Sequence, residues 1–209
     1  FALDEPAARA AVDEKQSSGL RRITRFFADA VDRIDLRGAY LPFWVFDADM
    51  IVNWSWSNAP DRGKHPILLS DITVLAVPTP PRELVDRIEP YDLQQSVDYD
   101  PRLLATHPAR LYSMDLTEAS IQVRSKLVRL AEQRAETGLR LRRPASGYGN
   151  DDAGSLRLNA YTEFLTYRLA LLPIWIARLV EEDGDTRTAL VNGQTGQVAL
   201  GGREEAGSP

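Results

Sequence analysis

At 209 residues, with 44% apolar and 26% charged side chains, the chain can bury a sizeable core as one domain or as two small ones sharing a sheet. The absence of cysteine excludes disulfides and thiolate metal sites within this span, and two histidines argue against a dedicated transition-metal centre. A net charge of −5 disfavours a general nucleic-acid binder, and no apolar run approaches the roughly 18 residues of a membrane-spanning helix.

The N-terminus lacks the basic-then-apolar pattern of a signal peptide, so a cytoplasmic protein is expected. Phe1 in place of Met marks a processed, truncated or merely first-ordered residue. Asp4 can cap a short helix to about residue 16, with Ala8, Ala11 and Val12 at helical spacing; Ser17-Ser18-Gly19 then breaks it. A second helix is expected over residues 20–34, with Ile23, Phe26, Phe27, Ala30, Val31 and Ile34 on one face and Gly38 closing the region. Residues 39–49 (AYLPFWVFDAD) read as a strand. Residues 50–56 alternate, with Met50, Val52, Trp54 and Trp56 facing one way, as a half-buried strand does.

Residues 57–66 have the composition of a loop, and 67–77 that of a strand. Thr79-Pro80-Pro81 starts a helix whose apolar face is Leu84, Val85 and Ile88. Residues 89–108, with three prolines, form an irregular surface connection, and 110–114 a short strand. Asp115 and Glu118 make a capping-box-like pair ahead of the longest helix, which should end near Gly138. Its buried stripe is Leu116, Ala119, Val123, Leu127, Leu130 and Ala131. Residues 139–143 alternate like an edge strand, 144–154 are a flexible loop, and 156–169 return to strand.

The continuous apolar run at 171–177 suits a strand buried on both faces. A turn at Asp183-Gly184, a strand over 186–191, the Asn192-Gly193-Gln194-Thr195-Gly196 turn and a return over 197–200 complete a β-meander. Residues 201–209 read as a disordered tail or linker. The pattern Ala-x-Leu-Pro-x-Trp occurs at both 39–44 and 170–175, each time after an amphipathic helix and before further strand. The fold class expected is therefore α+β, with two helix-plus-antiparallel-meander units, a possible internal duplication, sharing one core. Along the chain they are residues 1–109, including the irregular connection, and residues 110–200, followed by the tail at 201–209.

Chemistry is sparse. Asp47 and Asp49 share a strand face and could hold a hard cation or form an acid/base pair, but no third ligand is evident. His65 and His107 each precede a proline in loop-like sequence, without the partners that a catalytic histidine needs. The stretch from Tyr148 to Asp152 lacks the ligand spacing of a calcium loop, and the VNGQTG turn matches no phosphate-binding fingerprint. Trp44 and Trp175 fit the core, whereas Trp54 and Trp56 would form a binding patch if their shared face were open. One charge feature stands out. Between residues 124 and 143 lie Arg124, Lys126, Arg129, Arg134, Arg140, Arg142 and Arg143 against Glu132 and Glu136, in an otherwise acidic chain. They serve either as a solvated helix face with a charge-protected edge strand or as a docking patch.

The segments LPFWVFDAD, SDITV, DYDPRLL, ARLYSMDL and LLPIWIARL…VNGQTGQV together resemble a group of bacterial proteins with an N-terminal TFIIB-type zinc ribbon, commonly labelled primosomal-helicase-like. The resemblance implies an α+β fold and no catalytic residues. The ribbon's cysteines have no counterpart here, so zinc would belong to a segment outside this span, and the stretch between Trp56 and Ser70 is short for the group. A looser similarity, at the level of fold alone, is to PepSY-type modules that bind other protein segments.

These readings lead to a non-enzymatic binding protein, an accessory or adaptor subunit of a larger assembly, with no cofactor in this span. The other reading is a nucleic-acid-associated factor acting through the zinc ribbon. The expected partner is a protein with an acidic surface, met by Arg124, Arg129, Arg134, Arg140, Arg142 and Arg143 or by Trp54 and Trp56. Nucleic acid is not expected to bind this span, and peripheral membrane association stays open.

Overall fold

The computed structural model describes residues 1–20, 31–57, 61–142, 155–181 and 184–204. Its strands are β1 (Val31–Trp56), β2 (Arg62–Leu75), β3 (Leu156–Glu181), β4 (Thr186–Asn192) and β5 (Val198–Glu204). They form one antiparallel sheet in the order β2-β1-β3-β4-β5, accompanied by helices α1 (Glu5–Leu20), α2 (Arg82–Asp86) and α3 (Leu116–Arg142). The α+β class expected from the sequence is present. Two compact units divide the chain: one comprises Phe1–Phe43, Leu75–Met114 and Ala170–Pro209, the other Trp44–Val74 and Asp115–Leu169. Both long strands contribute to each unit, β1 dividing after Phe43 and β3 after Leu169. The units therefore group residues differently from the sequence segments 1–109 and 110–200.

In the first unit the sheet is covered on both faces. Asp4 caps α1, its Oδ1 accepting from the Ala7 amide at 3.0 Å, and the i, i+4 pair Ala8 and Val12 is fully buried. They pack with Leu36, Trp175, Leu179 and Val191. On the opposite parity, Ile174 and Leu190 are equally buried, and Phe43 meets Tyr91 with ring centroids 6.0 Å apart. There α2 and the segment behind it supply buried Leu84, Val85, Ile88 and Leu93. Burial on both faces is why residues 171–177 read as a continuous apolar run. The expected buried strands at 41–46 and 172–177 are both observed, with Leu41, Phe43, Val45, Phe46, Ile174 and Ala177 at 0% exposure.

Pro42 and Pro173 lie inside long strands, where a missing N–H would ordinarily interrupt the ladder. Their carbonyls are used in the same way. Pro42 accepts from the Ala76 amide and Pro173 from the Gly193 amide, both at 2.9 Å. Each donor is the residue just after its strand ends, β2 at Leu75 and β4 at Asn192.

The second unit is one-sided. The apolar stripe of α3, Ala119, Val123, Leu127, Ala131 and Ala135, is buried, as are Phe46, Ala48, Met50 and Val52 of β1. The Asp115 carboxylate caps α3, accepting from the Glu118 amide at 2.8 Å. Lys126 Nζ and Arg134 Nη1 reach the carbonyls of Thr73 and Leu68 on β2 at 3.2 and 2.8 Å.

Several local expectations are corrected. Helix α1 continues through Ser17-Ser18-Gly19 to Leu20, because a glycine in the last turn costs only about 1 kcal/mol relative to alanine. Residues 31–34 belong to β1 and not to a helix; Ile34 and Leu36 alternate toward the α1 core, and the β-branched Val31 and Ile34 suit a strand. Residues 21–30 of that expected helix lie outside the described residues. Gly38 ends no helix: it sits within β1, where a Cβ would fall 2.7 Å from His107 Nδ1. Strand β2 begins at Arg62, so residues 62–66 are not loop.

No strand forms over 110–114; the isolated bridge is Tyr40 with Ala109, and the Ser113 and Met114 amides both bond Ala76 O. Residues 139–142 are the last turn of α3 and not an edge strand. Leucine and arginine are good helix formers, and a short alternation cannot be told from helix by periodicity alone. Leu116 and Leu130 are only partly buried, while Ala135, which the expected stripe omitted, is fully buried. Residues 201–204 belong to β5 and are not tail; residues 205–209 lie outside the described residues. The expected loop at 144–154 lies outside the described residues.

Candidate functional site

Helix α3 turns its basic residues to solvent. Arg124, Arg129, Arg134 and Arg140 are all exposed. Two are tied down: Arg134 to the Leu68 carbonyl, and Arg140 to Glu136 one turn earlier, at 2.8 Å. Ile121 is 67% exposed; Arg124, three residues on, is its neighbour on the helix surface, and Arg129, eight residues on, lies about 12 Å along the same side. The Arg142 side chain and all of Arg143 lie outside the described residues.

Trp54 and Trp56 keep the parity of buried Met50 and Val52 and are half-buried. The Trp54 indole lies over Gly63, where a Cβ would come within 3.0–3.1 Å of three of its atoms. Both indoles thus follow the parity that faces α3, not the other side of the sheet.

Among the described residues no element packs over that other side. In β2 the exposed residues are Arg62, Lys64, Pro66, Leu68 and Ser70, alternating with Gly63, His65, Ile67 and Leu69, which are more buried. In β3 the exposed set is Arg157, Asn159, Tyr161 and Glu163. Between them β1 presents Asp47, Asp49 and Ile51, opposite in parity to buried Ala48 and Met50. Leu68 is 71% exposed and Tyr161 40%. The sequence reasoning missed these residues. The alternation of residues 62–70 was available as a signal, but adjacent Leu68 and Leu69 do not disclose which of the two is buried.

The other candidates have structural occupations. Asp47 accepts from Arg168 Nη1 at 3.1 Å and from the Asp71 amide at 2.8 Å, and Arg168 also binds the Asp71 carboxylate, while Asp49 is exposed. Among the described residues no group of three or more His, Cys, Asp or Glu is placed to hold a metal ion. His107 stacks in an aromatic cluster, 4.1 Å from the Phe1 ring and 5.3 Å from that of Trp175. His65 points to α3, its Nε2 3.9 Å from where a Cβ on Gly138 would lie. Residues 148–152 lie outside the described residues. A shallow polar depression in the first unit, lined by Glu14, Lys15, Arg87, Gly196, Gln197 and Val198, gathers no candidate named above.

The VNGQTG turn is built from one side chain. Asn192, fully buried, donates from Nδ2 to the carbonyls of Ile88 and Pro90 at 2.8 and 3.2 Å. Its Oδ1 accepts from the amides of Gln194 and Thr195 at 2.8 and 3.1 Å. Gly196 takes φ +76°, and a Cβ on Gly193 would fall 2.8 Å from Pro173 Cβ and O, so both glycines are required by backbone geometry. Tyr91 closes the same region, its hydroxyl donating to Pro173 O at 3.4 Å. Burial pushes its phenol far above the ordinary value of 10.0, with nearby Glu89 adding to the rise.

A raised folded-state value means that the folded protein retains a proton the unfolded chain releases. Stability from this group is intact below about pH 10 and lost as pH rises beyond it. Urea unfolding of the wild type should therefore show a falling midpoint above pH 10, and Tyr91→Phe should remove most of that slope. Equal slopes for the two proteins would refute the assignment.

Among the described residues no helix is long and apolar enough to cross a membrane. The chain is 25% identical over 188 residues to an uncharacterized protein, YdjG, of Bacillus subtilis strain 168; the match covers 81% of this chain and 52% of that protein. The chain thus spans about half the length of the curated relative it matches. No family model matches the chain, and no solved structure matches it.

Proposed function

We propose that this chain is a non-enzymatic binding protein, an accessory or adaptor subunit of a larger assembly that engages an acidic protein surface through α3. The observation that carries the reading is Ile121, two-thirds exposed, beside Arg124 and two turns before Arg129 on the outer face of a helix whose inner face is buried. Apolar area supplies affinity at such a surface, and guanidinium groups select carboxylates by bidentate pairing. Arg134 and Arg140 already have bonds within the chain, so Arg124 and Arg129 carry most of the recognition. The family proposed is the zinc-ribbon group that the sequence resembles, with its zinc held outside this span.

Internal duplication belongs to the same proposal. The repeats would be α1–β1–β2 and α3–β3–β4. Support comes from the shared Leu-Pro-x-Trp pattern and from the paired use of Pro42 O and Pro173 O by the residues that end β2 and β4.

A tagged wild-type protein should retrieve a stoichiometric partner from extracts of its own cells. Arg124→Glu with Arg129→Glu should lower that recovery about tenfold at low salt, with a smaller difference at high salt, while far-UV circular dichroism stays unchanged. Equal recovery at both salt concentrations would remove α3 from consideration.

A further inference from the structure

We propose that the uncovered sheet face of the second unit is a self-association surface, on which two copies of this chain pair about a two-fold axis. Three observations lead there.

The first is the contrast between the two sheet faces in this unit. One is sealed by the buried stripe of α3; the other presents Leu68, Pro66 and Tyr161 to solvent, with Ile51 half-buried. Leu68 and Pro66 on β2 and Tyr161 on β3, with Ile51 on the β1 strand between them, place apolar groups on one face of three adjacent strands, the kind of surface that marks an interaction site.

The second is the order of charges along the strands. The start of β2, the end of β1 and the start of β3 are tied together: the Trp56 amide bonds Asp61 O at 3.2 Å, the Ser57 amide bonds Ser155 O at 3.0 Å, and the Ser155 amide bonds Ser57 Oγ at 2.9 Å. At this end the exposed parity carries Arg62, Lys64 and Arg157. Six residues farther along β3, about 20 Å at the rise of a strand, stands exposed Glu163, with exposed Asp49 on β1. Asp47 and Asp71 lie at this second end and share Arg168, so that with Asp49 and Glu163 the charge there is net negative among the described residues. One end is basic, the other acidic; Pro66, Ile51 and Tyr161 lie between, and Leu68 stands level with Asp49, seven residues from the β1–β2 turn.

The third is what that order selects. A partner of uniform charge would be attracted at one end and repelled at the other. A second copy, turned end for end about an axis across the strands, places basic on acidic at both ends and apolar on apolar at the centre. An isologous pair requires this self-complementarity. Two sheets stacked about 10 Å apart meet it with ordinary face-to-face packing. Three strands span roughly 14 Å and eight residues about 25 Å, a small face, so the dimer should be a micromolar one.

The charge order also supplies a test. Variant A (Arg62→Glu, Lys64→Glu, Arg157→Glu) turns the basic end acidic, so that both ends are acidic; variant B (Asp49→Lys, Glu163→Lys) turns the acidic end basic, so that both ends are basic. Sedimentation equilibrium of the full chain, from about 1 to 200 µM, should give wild type rising from 23.4 kDa toward twice that mass. A and B alone should each weaken association at least about tenfold. An equimolar mixture of A and B should recover the dimer mass, because acidic ends then meet basic ends.

Leu68→Ser, a mild change at an exposed site, should weaken the dimer without reversing any charge. A wild type that stays at 23.4 kDa throughout overturns the proposal. So does a dimer that neither A, B nor Leu68→Ser weakens, or a mixture of folded A and B that stays monomeric.

Discussion

Replacing Asn192 with alanine is expected to destabilise the protein by about 3 kcal/mol or more, the largest effect of any polar substitution on this chain. The residue is fully buried, and its amide satisfies two carbonyls and two amides at once. Truncation leaves the Ile88 carbonyl without this donor and frees the Gln194 and Thr195 amides, at about 1–3 kcal/mol for each group left buried and unpaired. For a chain of this size the melting temperature should fall by roughly 6–12 °C. Asn192→Asp keeps the acceptor but turns a second oxygen on two carbonyls, so it should fare no better. Thermal or urea unfolding decides the matter. A loss below about 0.5 kcal/mol for Asn192→Ala would mean that water or neighbouring groups replace the side chain.

The second large effect is expected at Glu181, at the end of β3. Its carboxylate is 4% exposed, with Arg187 Nη2 at 3.1 Å from Oε1 and Arg203 Nη2 at 2.6 Å from Oε2, the latter without hydrogen-bond alignment. Glu181→Leu would leave two arginines facing each other around an apolar side chain. Because the arginine side chains are 26% and 37% exposed, part of their charge can turn to water. The expected cost is therefore about 2 kcal/mol, below the 3–5 typical of breaking a fully buried pair. Glu181→Leu combined with Arg187→Leu and Arg203→Leu should recover most of it, since apolar groups of similar volume replace a buried ion cluster at little net cost. A triple variant less stable than the single one would contradict this account.

Much of the fold was legible because local signals agreed with burial. The run at 171–177 is apolar on both parities because both faces are covered, and Asp4 and Asp115 cap the helices that their spacing announces. Reading failed where one pattern served two structures. Val31 and Ile34 fit a helical face, yet Ile34 and Leu36 fit a strand equally well, and only packing against α1 decides between them. Residues 139–142 alternate like a strand, but nothing stops a helix already 23 residues long at that point.

The candidate surface was half legible. The cationic residues of α3 were visible as composition. The uncovered face of β1, β2 and β3 was not, because alternation tells which residues share a face and cannot tell which face is covered.

Helix α1 precedes residue 109, yet the strands it packs on, β4 and β5, follow residue 185. Helix α3 follows residue 115, yet it bonds the carbonyls of β2 near residues 68 and 73. Genetic dissection of this chain therefore has no safe cut. Residues 1–109 made alone carry a helix without its bed, and residues 110–209 carry a bed without its helix. Neither fragment should yield a soluble folded product by itself. Expressed together in one cell, however, the two pieces hold every element each other lacks, so a folded product should appear only when both are made.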